Sequence, residues 1–189
     1  TRSDDLARLK SKVLWAAGIE DPKGVLMNKA NRGARNHAIA RVLTPLSKLE
    51  RFDYDPDQFC EDVLESREKL RSVDWFAGMY DLSLAQPGRF RPGLLMSEFA
   101  RRLYDIIWNS RNSGEYENST GKKKKGQPSL SKKYKVQDVT LHSILYVLNL
   151  TEWSDVDGAW KVVEFNKSVV DYAMKNLKWY HHLLDWWNR

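Results

Sequence analysis

Apolar residues recur at helical spacing near the start of the chain. The apolar positions from Leu6 to Leu14 are separated by three and four residues, as one face of an α-helix requires. Polar residues 3–5 precede this run and can cap a helix, whereas Gly18 follows it and can end one. The pattern therefore predicts a first helix that starts at residues 3–5 and stops at Gly18.

Two further helices are predicted before residue 70. Apolar positions between Ala34 and Leu43 have the same spacing, and Pro45 limits the helix that contains them. Asp55 followed by Pro56 indicates the next helix start, because aspartate caps a first turn and proline fits its first position. The apolar stripe that begins at Phe59 and Cys60 then predicts a helix with one buried face.

The second half of the chain carries the longest helical patterns. After a turn-rich loop at residues 86–93, a helix is predicted with its inward side formed by Leu94, Leu95, Phe99, Leu103, Ile106 and Ile107. Another helix is predicted through Leu141–Leu148. A last helical stretch begins at Val162 and either runs on or kinks before it reaches Trp187.

Residues 109–135 contain Gly, Ser, Asn and Lys and have almost nothing to bury. Ordered loops longer than ~15 residues are uncommon in compact domains, so residues 110–135 are predicted to form a long, disordered, Lys-rich loop. No segment alternates apolar and polar residues as a half-buried strand does. The predicted fold is a single all-α domain over residues 1–189, a bundle of six to eight helices interrupted by this loop.

Charge is segregated along the chain, which has 31 Lys and Arg against 25 Asp and Glu and a formal net charge of +6. Residues 22–49 hold six basic residues and no acid, whereas residues 50–81 hold ten acids and four basic residues. Residues 122–135 hold seven lysines and no acid, so the rest of the chain has a net charge of −1. The excess positive charge therefore depends on one segment.

The two acid-free segments are candidate phosphate-binding surfaces, because clustered cations displace the counterions condensed on nucleic acid. The predicted nucleic-acid-binding residues are Lys29, Arg32, Arg35, Arg41, Lys122, Lys123, Lys124, Lys125, Lys132, Lys133 and Lys135. Two alternatives stay open. In one, basic residues 22–49 pair with acidic residues 50–81 inside the domain; in the other, the lysines only keep a solvated loop extended.

Patterns that indicate catalysis or metal binding are sparse. Asp53, Asp55 and Asp57 alternate like cation ligands but lack the Gly and distal Glu of a calcium loop, and capping or turn formation explains Asp55 and Asp57. Cys60, the single cysteine, lies on a predicted buried stripe. Motifs for a nucleophile, a zinc protease or a phosphate-binding loop are absent from the sequence. We therefore expect no metal and no cofactor.

Five of the eight tryptophans lie after residue 150. Helical spacing cannot direct Trp179, Trp186 and Trp187 to one side, so these three are predicted to offer a surface to a protein partner or to a second copy of the chain. The alternative is that further chain beyond Arg189 covers them.

The expected location is intracellular and nuclear, with no membrane partner. One cysteine excludes an internal disulfide, no apolar run approaches the ~18 residues of a membrane span, and the first residues lack the pattern of a signal peptide. The run Lys122–Lys125 also matches a nuclear-import signal.

Three stretches resemble one protein family. They are residues 92–107 with the polar loop that follows, residues 153–158 with Phe165 and residues 169–172, and residues 183–189. On these stretches the chain resembles, best from Pro87 onward, an uncharacterised helical domain of unknown function that is abundant in mushroom-forming basidiomycete fungi. The resemblance implies a helical, eukaryotic, intracellular domain and assigns no catalytic residue.

The charge pattern favours a non-enzymatic nuclear binding module that contacts DNA or RNA electrostatically. The alternative is an interaction or self-associating scaffold domain that uses the Trp-rich C-terminal helix. Salt distinguishes the two, because binding to phosphates weakens steeply as salt rises. A third hypothesis is an enzyme with a polar pocket lined by Trp, His and Asp, which shifted pKa values would reveal.

Overall fold

Eight α-helices account for most of the described chain in the computed structural model. The structure describes residues 2–19, 35–71, 74–86, 89, 91–109, 131, 135, 137–150 and 161–189. The helices are α1 (Arg2–Ala16), α2 (His37–Leu43), α3 (Leu49–Tyr54), α4 (Pro56–Leu64), α5 (Glu98–Tyr104), α6 (Leu141–Asn149), α7 (Val162–Lys175) and α8 (Leu177–Trp187). Over the described residues, β structure is limited to three isolated bridges, so the predicted all-α fold is confirmed.

Polar side chains cap the helix starts that position the rest of the chain. The carboxylate of Asp55 accepts a hydrogen bond from the backbone N–H of Gln58 at 3.0 Å, and Pro56 is the first residue of α4, as predicted. Ser97 and Thr140 cap α5 and α6 in the same way. Each such cap stabilises its helix by about 0.5–2 kcal/mol, so these boundaries depend on local chemistry.

The main core lies among α1, α5, α6, α7 and α8. Helix α5 packs against both α1 and α6, and α7 packs against both α6 and α8. Completely buried residues from four of these helices include Leu103, Ile144, Phe165, Val169 and Leu183. Burial of one such side chain contributes about 1.5–3 kcal/mol, so packing among these helices is the main source of stability.

A smaller apolar cluster forms among α2, α3 and α4. Its buried members are Ala40, Phe52, Phe59, Cys60 and Val63. The rings of Phe52 and Phe59 meet edge to edge with face at a centroid distance of 5.5 Å, a favourable aromatic arrangement. The predicted burial of Cys60 is confirmed.

Residues 74–97 join the two clusters, and their only regular structure is a single 3₁₀ turn. Backbone hydrogen bonds tie the start of this segment to the end of α2, and Oγ of Ser97 donates to the carbonyl oxygen of Gly78. A Cβ atom at Gly78 would lie 2.8 Å from the carbonyl oxygen of Val42 and 2.9 Å from the ring of Phe99. Glycine therefore lets this segment pass between α2 and α5.

The helix predicted to include Leu94 and Leu95 begins later than expected. Both side chains are completely buried, but they precede α5, which begins at Glu98. Leu94 forms an isolated bridge with Tyr80, and Leu95 has a φ angle of 60°. These two residues reach the core from non-helical backbone, a distinction that the spacing of apolar residues does not make.

Two other boundaries refine the predictions. Helix α1 begins at Arg2, so residues 3–5 lie in its first turn and do not precede it, whereas Gly18 follows its end with a φ angle of 86°, as predicted. The last helical stretch is interrupted at Asn176, which separates α7 from α8.

Part of the predicted architecture lies outside the described residues. Within the predicted Lys-rich loop at 110–135, only Ser131 and Lys135 are described, so this loop stays a prediction. In the described part of the chain, no helix combines the length and the apolar character that crossing a membrane requires.

Replacing Gly93 by alanine is expected to destabilise the fold more than replacing Gly18. Both glycines have positive φ angles, 75° and 86°, so alanine has a similar conformational cost of about 1–2 kcal/mol at each. At Gly93 the new Cβ would also lie 2.4 Å from the carbonyl oxygen of Asp81, whereas at Gly18 nothing lies within 4 Å. Urea unfolding should show a further loss of about 1–3 kcal/mol for Gly93→Ala. Equal losses in the two variants would contradict this close contact.

Candidate functional site

Three of the predicted nucleic-acid-binding residues fall within the described structure. Arg35 lies just before α2, Arg41 lies within α2, and Lys135 precedes α6; Arg35 and Lys135 are exposed. The other predicted residues lie outside the described part of the chain: Lys29, Arg32, Lys122, Lys123, Lys124, Lys125, Lys132 and Lys133.

Arg41 forms a two-pronged ion pair with Asp53. Its Nε donates to one carboxylate oxygen at 2.7 Å and its Nη2 donates to the other at 2.9 Å. The hydrogen bond to Asp53 raises the pKa of Arg41 above its usual value, against the opposing effect of partial burial. Arg41 therefore has a protein partner for its planar guanidinium group.

A charged network surrounds two carboxylates between α3, α4 and the segment after α4. Nζ of Lys48 donates to Glu68 at 2.5 Å, and Arg51 donates to both Glu68 and Asp62. Nε of Arg67 donates to Asp62 at 2.8 Å. The side chains of Asp62 and Glu68 are only 13% and 15% exposed, so both carboxylates are largely shielded from solvent.

The network keeps Asp62 ionised. Hydrogen bonds from Arg67 and then from Gln58 are the main causes that hold the pKa of Asp62 below its usual value, and the charge of Arg51 adds to them. These donors stabilise the carboxylate and not the neutral acid. Asp62 is therefore a structural anion.

The alternative in which basic residues 22–49 pair with acidic residues 50–81 is confirmed for Arg41 and Lys48. Their partners, Asp53 and Glu68, both belong to the acidic segment. A phosphate would have to displace these partners to reach the two cations.

The three alternating aspartates have separate local roles. Asp53 pairs with Arg41, Asp55 caps α4, and Asp57 lies 3.2 Å from Nε2 of His37. In the part of the chain that is described, no group of three or more His, Cys, Asp or Glu side chains is arranged to hold a metal ion.

Cys60 is a core residue. It is 5% exposed, and burial, with a smaller effect from the charge of Asp57, raises the pKa of its thiol. A thiol that stays protonated is a poor nucleophile.

The C-terminal tryptophans pack against the main core. Trp179 is 7% exposed, and its ring meets that of Tyr172 at a centroid distance of 5.1 Å. Nε1 of Trp187 donates to the carbonyl oxygen of Leu95 at 2.8 Å, and Trp186 also contacts the core. These contacts give the three tryptophans structural roles, and a role in partner binding stays a prediction.

A cavity of about 500 Å³, which was not predicted from the sequence, opens between α6 and α7. Its lining consists of Leu145, Tyr146, Leu150, Val162 and Val170 together with His142, Asn149, Asn166, Lys167 and Asp171. Helix α6 has buried residues around most of its circumference. That pattern is the sequence signal that could have indicated a second packing face.

The cavity lacks the polar constellation that the enzymatic hypothesis requires. Its wall is mostly apolar, and the pKa of Asp171 is lowered because Lys167 donates to it at 2.5 Å. A carboxylate that is held ionised in a surface ion pair is poorly suited to donate a proton.

The fold and the charge pattern define a small all-α domain. A family model described as a family of unknown function (DUF6698) matches residues 1–189, and the chain belongs to this family. The predicted resemblance to a domain of unknown function is thereby confirmed. No curated protein and no solved structure matches the chain.

Asp62→Asn is expected to lower the thermal midpoint at neutral pH, because an amide cannot satisfy both Arg51 and Arg67. The pKa of Asp62 is lower in the folded state, so its stabilising effect is present above the unfolded pKa of about 3.9. The effect is lost as the pH falls through the folded value. The difference between wild type and variant should therefore shrink below about pH 4.

Glu61→Gln is the matched control, because Glu61 lies on the same helix but is 58% exposed and approaches Arg67 only to 3.8 Å. Its midpoint should stay close to that of the wild type at every pH. A similar loss in both variants, or an Asp62→Asn deficit that persists at low pH, would contradict the shielded network.

Proposed function

We propose that this protein is a non-enzymatic binding module that contacts nucleic acid electrostatically. The contacts are made by Lys29, Arg32 and Arg35 and by the seven lysines of residues 122–135. The observation that carries the proposal is the distribution of charge that remains once the described ion pairs are taken into account.

Neighbouring bases neutralise the acidic residues 50–81. Asp53, Asp62 and Glu68 each engage Arg or Lys from this part of the chain, and Asp74 engages the arginine three residues before it at 2.8 Å. These pairs would have to break before the same carboxylates could neutralise another segment. The local pairing therefore supports a role for the lysines of residues 122–135, which hold the excess positive charge, in binding an external polyanion.

Arg35 and Arg41 differ in their availability for phosphate contact. Arg35 is exposed, and no ion pair to it occurs among the described residues, whereas Arg41 is held by both carboxylate oxygens of Asp53. A phosphate can approach Arg35 directly but must compete with a two-pronged pair at Arg41. We therefore assign Arg41 a smaller contribution than the sequence suggested.

The proposed contacts are to phosphates, so binding is expected to depend weakly on base sequence and strongly on salt. A nuclear location is part of the proposal, because the run Lys122–Lys125 has the composition of an import signal. The proposal also retains the fungal origin that the sequence resemblance implied.

Replacing Lys122–Lys125 by glutamine is expected to weaken binding to a mixed-sequence duplex by about tenfold or more at ~100 mM salt. Each lost phosphate contact should also reduce the slope of log affinity against log salt by about 0.9. Fluorescence anisotropy of a labelled duplex, titrated with the full chain between ~50 and ~200 mM salt, measures both quantities.

The matched control replaces Lys69, Lys161, Lys175 and Lys178 by glutamine, which removes the same charge from exposed positions of the described surface. This variant should retain most of the affinity and the slope. Equal losses in the two variants would show a general effect of net charge and contradict the proposed location. Absence of binding by the wild type at ~50 mM salt would overturn the proposal, because electrostatic attraction is then strongest. Salt-insensitive self-association in sedimentation experiments would favour the scaffold alternative.

A further inference from the structure

We propose that the cavity between α6 and α7 binds a neutral, apolar small molecule that carries a hydrogen-bond donor. This site shares no residue with the proposed nucleic-acid contacts, and neither proposal depends on the other.

The size and lining of the cavity suit a small molecule. Its volume of about 500 Å³ lies within the range of about 300–1,000 Å³ that is typical of ligand sites. Leu145 and Leu150 form its deeper apolar wall, and Val162 and Val170 face them from α7. The connection between the two helices, residues 151–160, lies outside the described residues, so this lining is that of the helices and their ends.

The two helices that form the walls are fixed by the main core. Ile144 and Leu148 of α6 are buried in that core, as are Phe165 and Val169 of α7. The helices could approach each other and close the cavity only by unpacking these residues. The cavity is therefore expected to persist in the absence of a ligand.

The hydrogen-bonding requirement comes from Asn149. Its amide nitrogen donates to Oδ1 of Asn166 at 2.8 Å and so bridges the two helices. The remaining amide oxygen of Asn149 is buried and accepts no hydrogen bond from the described residues, and the side chain lines the cavity. An unsatisfied buried acceptor has a free-energy cost that a ligand N–H or O–H would relieve.

The rim of the cavity favours a ligand without net charge. Lys167 and Asp171 pair at 2.5 Å, so one cation and one anion cancel at the entrance. An anionic ligand would be repelled by Asp171, and a cationic ligand would be repelled by Lys167. These contacts favour a neutral ligand over a fatty acid, a phosphate or an amine.

N-Phenyl-1-naphthylamine is a suitable probe for the full chain, because it is neutral and apolar, has one N–H donor and fluoresces in apolar surroundings. We expect saturable binding at one site. Two related compounds test the assigned chemistry. 1-Phenylnaphthalene lacks the donor, and anilinonaphthalene sulfonate adds a negative charge, so both should bind about threefold to tenfold more weakly.

Val170→Phe should weaken binding of the probe by about tenfold, because the larger side chain occupies the cavity. Val163→Phe is the matched control: the same change on the same helix, at a residue that is 78% exposed and does not line the cavity. Its affinity should stay within about twofold of the wild type. Helical circular dichroism and the thermal midpoint establish that both variants are folded.

Hydrogen exchange of the unmodified protein provides a measurement that does not depend on any variant. The probe should slow amide exchange in α6 and α7 and leave α2–α4 unchanged. Saturable binding that Val170→Phe alone weakens, or protection confined to α6 and α7, supports the site. Absence of saturable binding, equal loss in both variants or protection elsewhere overturns it, and tighter binding of the sulfonate overturns the assigned ligand class.

Discussion

The passage of residues 74–97 between α2 and α5 is the constraint on which the rest of the structure depends. Gly78 lies so close to the backbone of Val42 and the ring of Phe99 that no side chain fits there. The hydroxyl of Ser97 donates to the carbonyl oxygen of Gly78 and also accepts from the first turn of α5. One side chain thus couples the path of the connecting segment to the start of the helix that packs against both α1 and α6.

The electrostatic organisation follows from the same arrangement. The connecting segment holds α2–α4 beside the main core, and the acidic residues of that region are neutralised by bases from α2, α3 and the segment after α4. The partly shielded pairs at Asp62 and Glu68 stabilise this small unit instead of offering charge to a partner. The segregation seen along the chain is therefore largely cancelled in space within the described residues, and the lysine-rich segment is the remaining source of excess charge.

Local signals predicted much of this fold, because caps and apolar spacing act over one or two turns. The same signals predicted that Leu94 and Leu95 are buried but not that they precede the helix, since an extended segment and a helix can bury the same short apolar run. The cavity was not predicted, because the contact between Asn149 and Asn166 arises only when α6 and α7 pack together. For the candidate site, the sequence indicated that basic and acidic segments could pair but could not identify which side chains meet.

The most direct test is residue-resolved NMR of the lysine side-chain ammonium groups during titration of the full chain with a short mixed-sequence duplex. We expect shift changes on the lysines of residues 122–135, whereas Lys48, which is held by Glu68, keeps its shift. Changes that include Lys48, or that spread evenly over the lysines of the whole surface, would contradict local neutralisation of the helical domain. Unchanged spectra would contradict nucleic-acid binding itself.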